Sequence, residues 1–375
     1  MRQRLRVGLL LAMILLAGYA FLWPVPVSPT AWTAPPDPGY AGPFEADSSL
    51  SRLERLSIGP FSGPEGVAHD RAGRIYVSTR EGAIVRLSAE GEHPEVFART
   101  NGRPLGLAFD TAGTLFVADG ARGLLAIDAA GAVRLLADSV DGAPISFADD
   151  LDIADDGRVY FSDASSKFGL LARAEEGASV LDIIEHGGHG RLLEYDPATR
   201  RTTVLRRGLD FANGVALAFD QRSVLLSETG AYRIVRIWRD GPRRGEQEPV
   251  IEALPGFPDN IKRGRDGRYW VALFAPRNAL LDRLAAWPTL RQMLLRIPSA
   301  LRPEAQEYGH IIAIDESGTV RDDRHDPTGA YPKMTSVLET ERNLYIGSVS
   351  APVLARVPAR IPAGAPAPLT PALPR

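Results

Sequence analysis

The stretch FADDLDIADDGRVYFSDASS, residues 147–166, sets Asp149, Asp150 and Asp152 among apolar residues in what otherwise reads as two β-strands. Asp is a poor strand residue, and a buried carboxylate without a partner is costly or gives up its charge. Some group must neutralise it. Asp149 stands eight residues before the turn glycine Gly157, just as Glu65 precedes Gly73 and Asp259 precedes Gly267. In a fourth unit the offset lands on Asn213 or Gly214, depending on where the gap is placed; in two others it falls at Leu105 and Met334.

That offset belongs to a repeat. A short strand, a turn with Asp or Gly, an apolar strand and a third apolar strand recur six times, the second strands being GRIYVST, GTLFVAD, GRVYFSD, SVLLSET, GRYWVAL and NLYIGSV. Fourth strands follow in places, as in TTVLRRG and EPVIEAL. Six units of about 50 residues match four-stranded propeller blades, so the fold class is all-β, a six-bladed β-propeller over 53–357. The uneven spacing places long insertions in the third, fifth and fourth units. Residues 276–307, with Leu280, Leu281, Leu284, Met293, Leu294 and Ile297 at roughly helical spacing, form the one helical insertion this reading predicts.

In a propeller the equivalent positions at the starts of the innermost strands surround one axis. Glu65, Asp149, Asn213 and Asp259 are therefore expected to converge there, and three carboxylates would raise one another's pKa unless a cation sat among them. Oxygen donors with no Cys or His suit Ca²⁺ rather than Zn²⁺. Of the neighbouring polar groups, Asn260 is expected as a further ligand and Asp150 as a group supporting the ligands. Asp152 is assigned to a turn or an inter-blade hydrogen bond.

Outside the repeat, Arg2, Arg4 and Arg6 precede an uncharged, mostly apolar run from Val7 to Trp23. The segment 1–23 reads as a signal anchor or, with Gly18-Tyr19-Ala20 as cleavage site, a signal peptide; either puts the propeller outside the cytoplasm, periplasmic or extracellular, and secreted if cleaved. Residues 24–52 form a Pro-rich linker, a stiff extended spacer, and 358–375 a disordered Pro/Ala-rich tail. The chain has 375 residues, a net charge of −3 and no Cys, which removes disulfides and thiolate sites and gives no electrostatic reason to bind nucleic acid.

The motifs GPEGVA (63–68), FADDLDI with VYFSDASSKF (147–168), GRLLEYDPATRRTTVL (190–205), GLDFANGVAL (208–217) and LPGFPDNIKRGRDGRYWVAL (254–273) give the chain a specific resemblance. It resembles the calcium-dependent propellers of the senescence marker protein 30 (gluconolactonase), paraoxonase and strictosidine synthase superfamily. The nearest likeness is to the strictosidine synthase-like branch that includes adipocyte plasma membrane-associated protein. The resemblance implies Ca²⁺ ligands at Glu65, Asp149, Asn213 and Asp259, with Asn260 as a fifth. The family's usual Asn-Asp pair is Asp149-Asp150 here, one negative charge more.

True strictosidine synthases carry a Glu early in the last blade; KMTSVLE (333–339) offers Met334, Thr335 and Ser336 there, with Glu339 too late, so amine–aldehyde condensation is disfavoured. The resemblance implies instead an exported, membrane-tethered Ca²⁺-dependent hydrolase of a small-molecule ester or lactone, with Asp259 as the nucleophile or base, or as a ligand only. The other reading is a non-catalytic, calcium-stabilised propeller that binds a ligand or protein partner. His186 and His189 in EHGGHG are read as an exposed loop; His69, His310 and His325 carry no assignment. Ser165 and Ser166 lack the context of a serine nucleophile.

Overall fold

A computed structural model describes residues 2–171, 175–298, 302 and 305–360. Among them, six four-stranded antiparallel sheets form the blades of the propeller. The innermost strands of blades 1 to 6 are Val67–His69, Pro104–Phe109, Ala148–Ile153, Ala212–Leu217, Gly256–Arg263 and Met334–Glu339. Each packs against the next and the sixth against the first, so the ring is closed.

Closure comes from both ends of the chain. Glu54–Ser57 pairs with Val353–Pro358 as the outer strand of blade 6, with Leu56 opposite Leu354. The sequence repeat did not show this strand, because ERLS has neither the length nor the turn of its counterparts. Pro358 lies in the strand and Ala359 is buried, so the chain is structured to residue 360; the expected disordered tail otherwise lies outside the described residues.

The strands form where β-branched, aromatic and leucine residues fill both faces of a sheet that is covered on both sides. In blade 2, Leu115–Asp119 and Gly123–Ile127 are buried throughout. The core is a set of layers between blades: Tyr76 and Ile84 of blade 1 pack on Leu107, Val117 and Leu125 of blade 2, and an equivalent layer lies between every later pair, including blades 6 and 1. The hairpins turn on an Asp and a glycine. Asp70 Oδ1 accepts the N–H groups of Ala72 and Arg74 at 2.9 and 3.0 Å, while Gly73, at φ 79°, takes the left-handed conformation that closes the turn.

Strand direction decides where insertions lie. The inner strands all begin at one end of the ring, the mouth, so the first hairpin of each blade lies at the far end and the connection from second to third strand returns to the mouth. Helix α1 spans Arg2–Leu22. Helix α2 (Glu175–Glu185) falls in that returning connection in blade 3, and α3 (Ala279–Arg283) with α4 (Pro288–Arg296) in blade 5. Blade 4 has only the one-turn helix Thr229–Ala231 there, and no long insertion.

The predicted 276–307 insertion is thus two helices, while α2 was missed; its residues 299–301, 303 and 304 lie outside the described residues. The proline-rich stretch is packed on the propeller as a strap. The N–H of Thr30 donates to Glu185 O at 2.8 Å, Arg277 Nη2 donates to Pro35 O at 2.6 Å, and Val27 and Phe44 are buried. Among the described residues no helix is long and apolar enough to cross a membrane, so the single-pass anchor at 1–23 rests on the sequence.

Candidate metal site at the propeller mouth

Five inner strands carry a register shift near their start, where two residues oppose one on the neighbouring strand: Leu105-Gly106, Asp149-Asp150, Asn213-Gly214, Asp259-Asn260 and Thr335-Ser336. In blade 1 Glu65-Gly66 holds the same place, the N–H of Glu65 donating to Ser78 O at 3.2 Å and Gly66 N–H to Ser78 Oγ at 2.8 Å. A bulge re-aims side chains out of the regular alternation. This is the local reason a strand can hold carboxylates at these positions.

The second residue of each bulge meets the next blade. A Cβ on Gly66 would lie 2.0 Å from Leu105 O, and one on Gly214 2.3 Å from Ile261 N, so only glycine allows those backbones to approach. Asp150 and Ser336 fill the same slot with partners: Asp150 accepts Val215 N–H at 2.9 Å, and Ser336 Oγ donates to Glu65 O.

The first residue is Glu65, Leu105, Asp149, Asn213, Asp259 or Thr335. Glu65, Asp149, Asn213 and Asp259 are all buried, at 3–6% exposure. The ambiguity between Asn213 and Gly214 is resolved in favour of Asn213, and the sixth position is Thr335 rather than Met334. Asn213 Oδ1 is buried and has no hydrogen-bond partner among the described residues. The same holds for Oδ1 and Nδ2 of Asn260, which belongs by register to the inter-blade row. An unmet buried amide oxygen costs about 1–3 kcal/mol. A hard cation is a group that would answer it, and the donor set fits one.

Two residues before each bulge stand Gly63, Arg103, Phe147, Phe211, Phe257 and Lys333. Arg103 was missed by the sequence reading, although the same offset logic, ten residues before Gly113, singles it out. Its Nη2 donates to Glu65 Oε2 at 2.6 Å, both side chains being buried.

Asp150 and Asp152 have other duties. Asp150 pairs with Lys262 Nζ, so it does not support the ligands as expected; burial pushes its carboxyl up against the pull of Lys262. Asp152 accepts Leu217 N–H at 2.9 Å and pairs with Arg263 at 3.1 Å, the inter-blade role expected of it. Glu339 binds Arg268, Trp270 Nε1 at 2.9 Å and Arg265 N–H at 2.9 Å, at the far end of its strand from Thr335.

A roof covers part of the mouth. Leu105, Phe147 and Phe211 from blades 2 to 4 pack with Val27 of the strap, Ile184 of α2 and Leu295 of α4, while Phe257 and Tyr232 meet Trp32 and Leu281. His186 belongs to this roof, not to an exposed loop. It is 9% exposed, stacks on Trp32 at 3.9 Å and is pushed down to about 3 by burial. His189 Nε2 lies 2.7 Å from Glu185 Oε1. Ser165 Oγ donates to Asp182 at 2.5 Å, and burial lifts the Asp182 carboxyl to about 7. His186 could not be placed from sequence, because Trp32, the strap residue that stacks on it, is more than 150 residues away along the chain.

Closed blades, a bulge at the head of each inner strand and acidic or amide groups at four of those heads define a six-bladed propeller with a polar mouth. Residues 149–242 match the strictosidine synthase family and 42–87 the N-terminal region of strictosidine synthase-like proteins. Adipocyte plasma membrane-associated protein from Salmo salar is 35% identical over 90% of this chain and 85% of its own, and the Homo sapiens protein 34% over 91% and 86%. Strictosidine synthase-like protein 10 of Arabidopsis thaliana is 37% identical over 78% and 84%. The chain therefore belongs to the strictosidine synthase-like family that includes adipocyte plasma membrane-associated protein. A gluconolactonase from Xanthomonas campestris shares the fold at TM-score 0.58 and 18% identity, covering 88% of this chain and 98% of that one. Regucalcin, a calcium-binding protein from Agrobacterium tumefaciens, does so at 0.57 and 14%, covering 81% and 93%.

Proposed function

We propose that this protein is an exported, membrane-associated, Ca²⁺-dependent hydrolase of small esters or lactones. The observation that carries the reading is the set of buried oxygen donors at equivalent bulges, with Asn213 Oδ1 and Asn260 Oδ1 unmet among the described residues. Glu65, Asp149, Asn213, Asp259 and Asn260 would hold the ion. When bound, it would polarise a substrate carbonyl oxygen.

Arg103 holds Glu65 in place and tempers the negative charge. Asp259 is the candidate base or nucleophile. Phe147, Phe211 and Phe257 form an apolar side to the mouth that suits the hydrocarbon part of an ester and limits water. The names of the gluconolactonase and of the calcium-binding regucalcin support the chemistry. Thr335 at the sixth position, with Glu339 committed elsewhere, argues against amine–aldehyde condensation.

Membrane association is supported by the relatives' name and by α1, where Leu5, Leu9, Leu11, Leu15 and Leu22 are more than half exposed. The helix is held to α4 by Tyr19 OH donating to Arg296 O at 2.8 Å.

A second reading, a calcium-stabilised propeller that only binds a ligand or partner, is favoured by the roof over blades 2 to 5. The experiment is calcium content and turnover of an aryl-ester and lactone panel by the full chain, beside Asp259→Ala and Asp149→Asn. Bound calcium with turnover lost in folded Asp259→Ala supports the hydrolase. Bound calcium without turnover by wild type moves the assignment to the binding module, and a wild-type protein that binds no calcium removes the site.

A further inference from the structure

Blade 5 holds a second cluster of metal-ligating side chains at the mouth end, away from the axis. His310 lies at the start of strand Gly309–Asp315, and Asp323 and His325 lie on the outer strand Val320–Asp326. His310 is directly opposite His325, and Asp323 is two residues away along the outer strand. Period-two alternation therefore puts all three on one face.

One ligand atom from each of the three lies within 4.8 Å of the others. His310 Nε2 is 2.7 Å from Asp323 Oδ1 and His325 Nε2 is 2.6 Å from Asp323 Oδ2, with the two imidazoles stacked at 4.0 Å. The rings are 2% and 0% exposed, whereas the Asp323 side chain keeps 12% exposure and leaves a route for an ion.

Two features go beyond a hydrogen-bonded His–Asp–His group. Tyr308 OH lies 3.0 Å from His325 Nδ1, the outer partner that orients a ligating imidazole and directs its other nitrogen to a metal. In addition, His310 Nδ1 and Tyr40 OH are buried without hydrogen-bond partners among the described residues. Tyr40 comes from the strap, stacks on Tyr308 at 4.8 Å and meets both imidazoles edge-on at 5.7 and 5.4 Å.

We propose that His310, Asp323 and His325 form a binding site for a divalent transition metal of the Zn²⁺ class, separate from the oxygen-donor site at the axis. Two imidazoles and one carboxylate are the donors of Zn²⁺ or Co²⁺, not Ca²⁺, and three protein ligands leave a position for water. The ion fastens the outer edge of blade 5 beneath the strap.

The test uses the full chain, stripped with a chelator, saturated with Ca²⁺ and titrated with Co²⁺. One equivalent should produce visible ligand-field absorption that Zn²⁺ displaces. His310→Gln and Asp323→Asn should each weaken Co²⁺ binding by roughly 100-fold or more, beyond what loss of an outer partner costs. His189→Gln in the roof should leave it unchanged. X-ray absorption of Zn²⁺-loaded wild type, which needs no variant to fold, should show two imidazoles in the coordination shell. No stoichiometric Co²⁺ spectrum, a spectrum retained in folded Asp323→Asn, one abolished by His189→Gln, or a shell with fewer than two imidazoles would each overturn the assignment.

Discussion

Adjacent acidic residues in one strand do unrelated work. Asp149 takes the first bulge position and is a candidate ligand, while Asp150, one residue on, is turned into the seam with the next blade and held by Lys262 and Val215 N–H. Removing one partner of a buried pair leaves an uncompensated charge, which costs about 3–5 kcal/mol. Lys262→Met should therefore lower the unfolding free energy by that amount near pH 7. The cost should shrink toward pH 5, because an unpaired buried carboxyl takes up a proton. Urea denaturation at the two pH values measures both, and an equal loss at each would refute the pairing.

At the level of elements, α2 and the strap depend on each other. Trp32 covers His186, and Ser28 and Thr30 are bonded to Glu185 at the end of α2. Beneath them Asp182 has its carboxyl raised from 3.8 to about 7 by burial. A raised acid contributes stability that is fully present below its unfolded pKa and is lost as pH rises through its folded pKa. The docking of α2 should thus weaken between about pH 4 and 7. Asp182→Asn, which cannot ionise, should flatten that part of the melting temperature profile. A profile identical to wild type would show that Asp182 is already charged when folded.

For the whole molecule, the ring is fastened where Glu54–Ser57 joins Val353–Pro358. Deleting residues 2–23 removes α1 and should leave the cooperative thermal transition of the propeller in place. Deletion through Ser57 removes the strap and exposes the edge of Val353–Pro358, inviting edge-to-edge pairing. That chain should melt without a single cooperative transition and aggregate on heating, as followed by calorimetry and light scattering. A sharp transition near the wild-type temperature would mean that neither the closing strand nor the strap is needed.

Much of this was legible from sequence because it is local and repeated. Asp-x-x-Gly turns, apolar second strands and a constant offset report the blades and the three candidate ligands Glu65, Asp149 and Asp259, since every unit solves the same packing problem. Helix α2 was not legible: EEGASVLDIIE is short, and Gly177 interrupts its helical pattern. The Asn213 assignment and the shift from Met334 to Thr335 needed the bulges, because one extra residue in a strand changes which side chain faces the axis. Arg103 beside Glu65, Lys262 beside Asp150, the strap over the mouth and the His310–Asp323–His325 cluster were decided by tertiary structure alone. Each joins residues far apart in the chain or across strands, and such contacts depend on how the blades and their insertions pack, which no periodicity along one strand records.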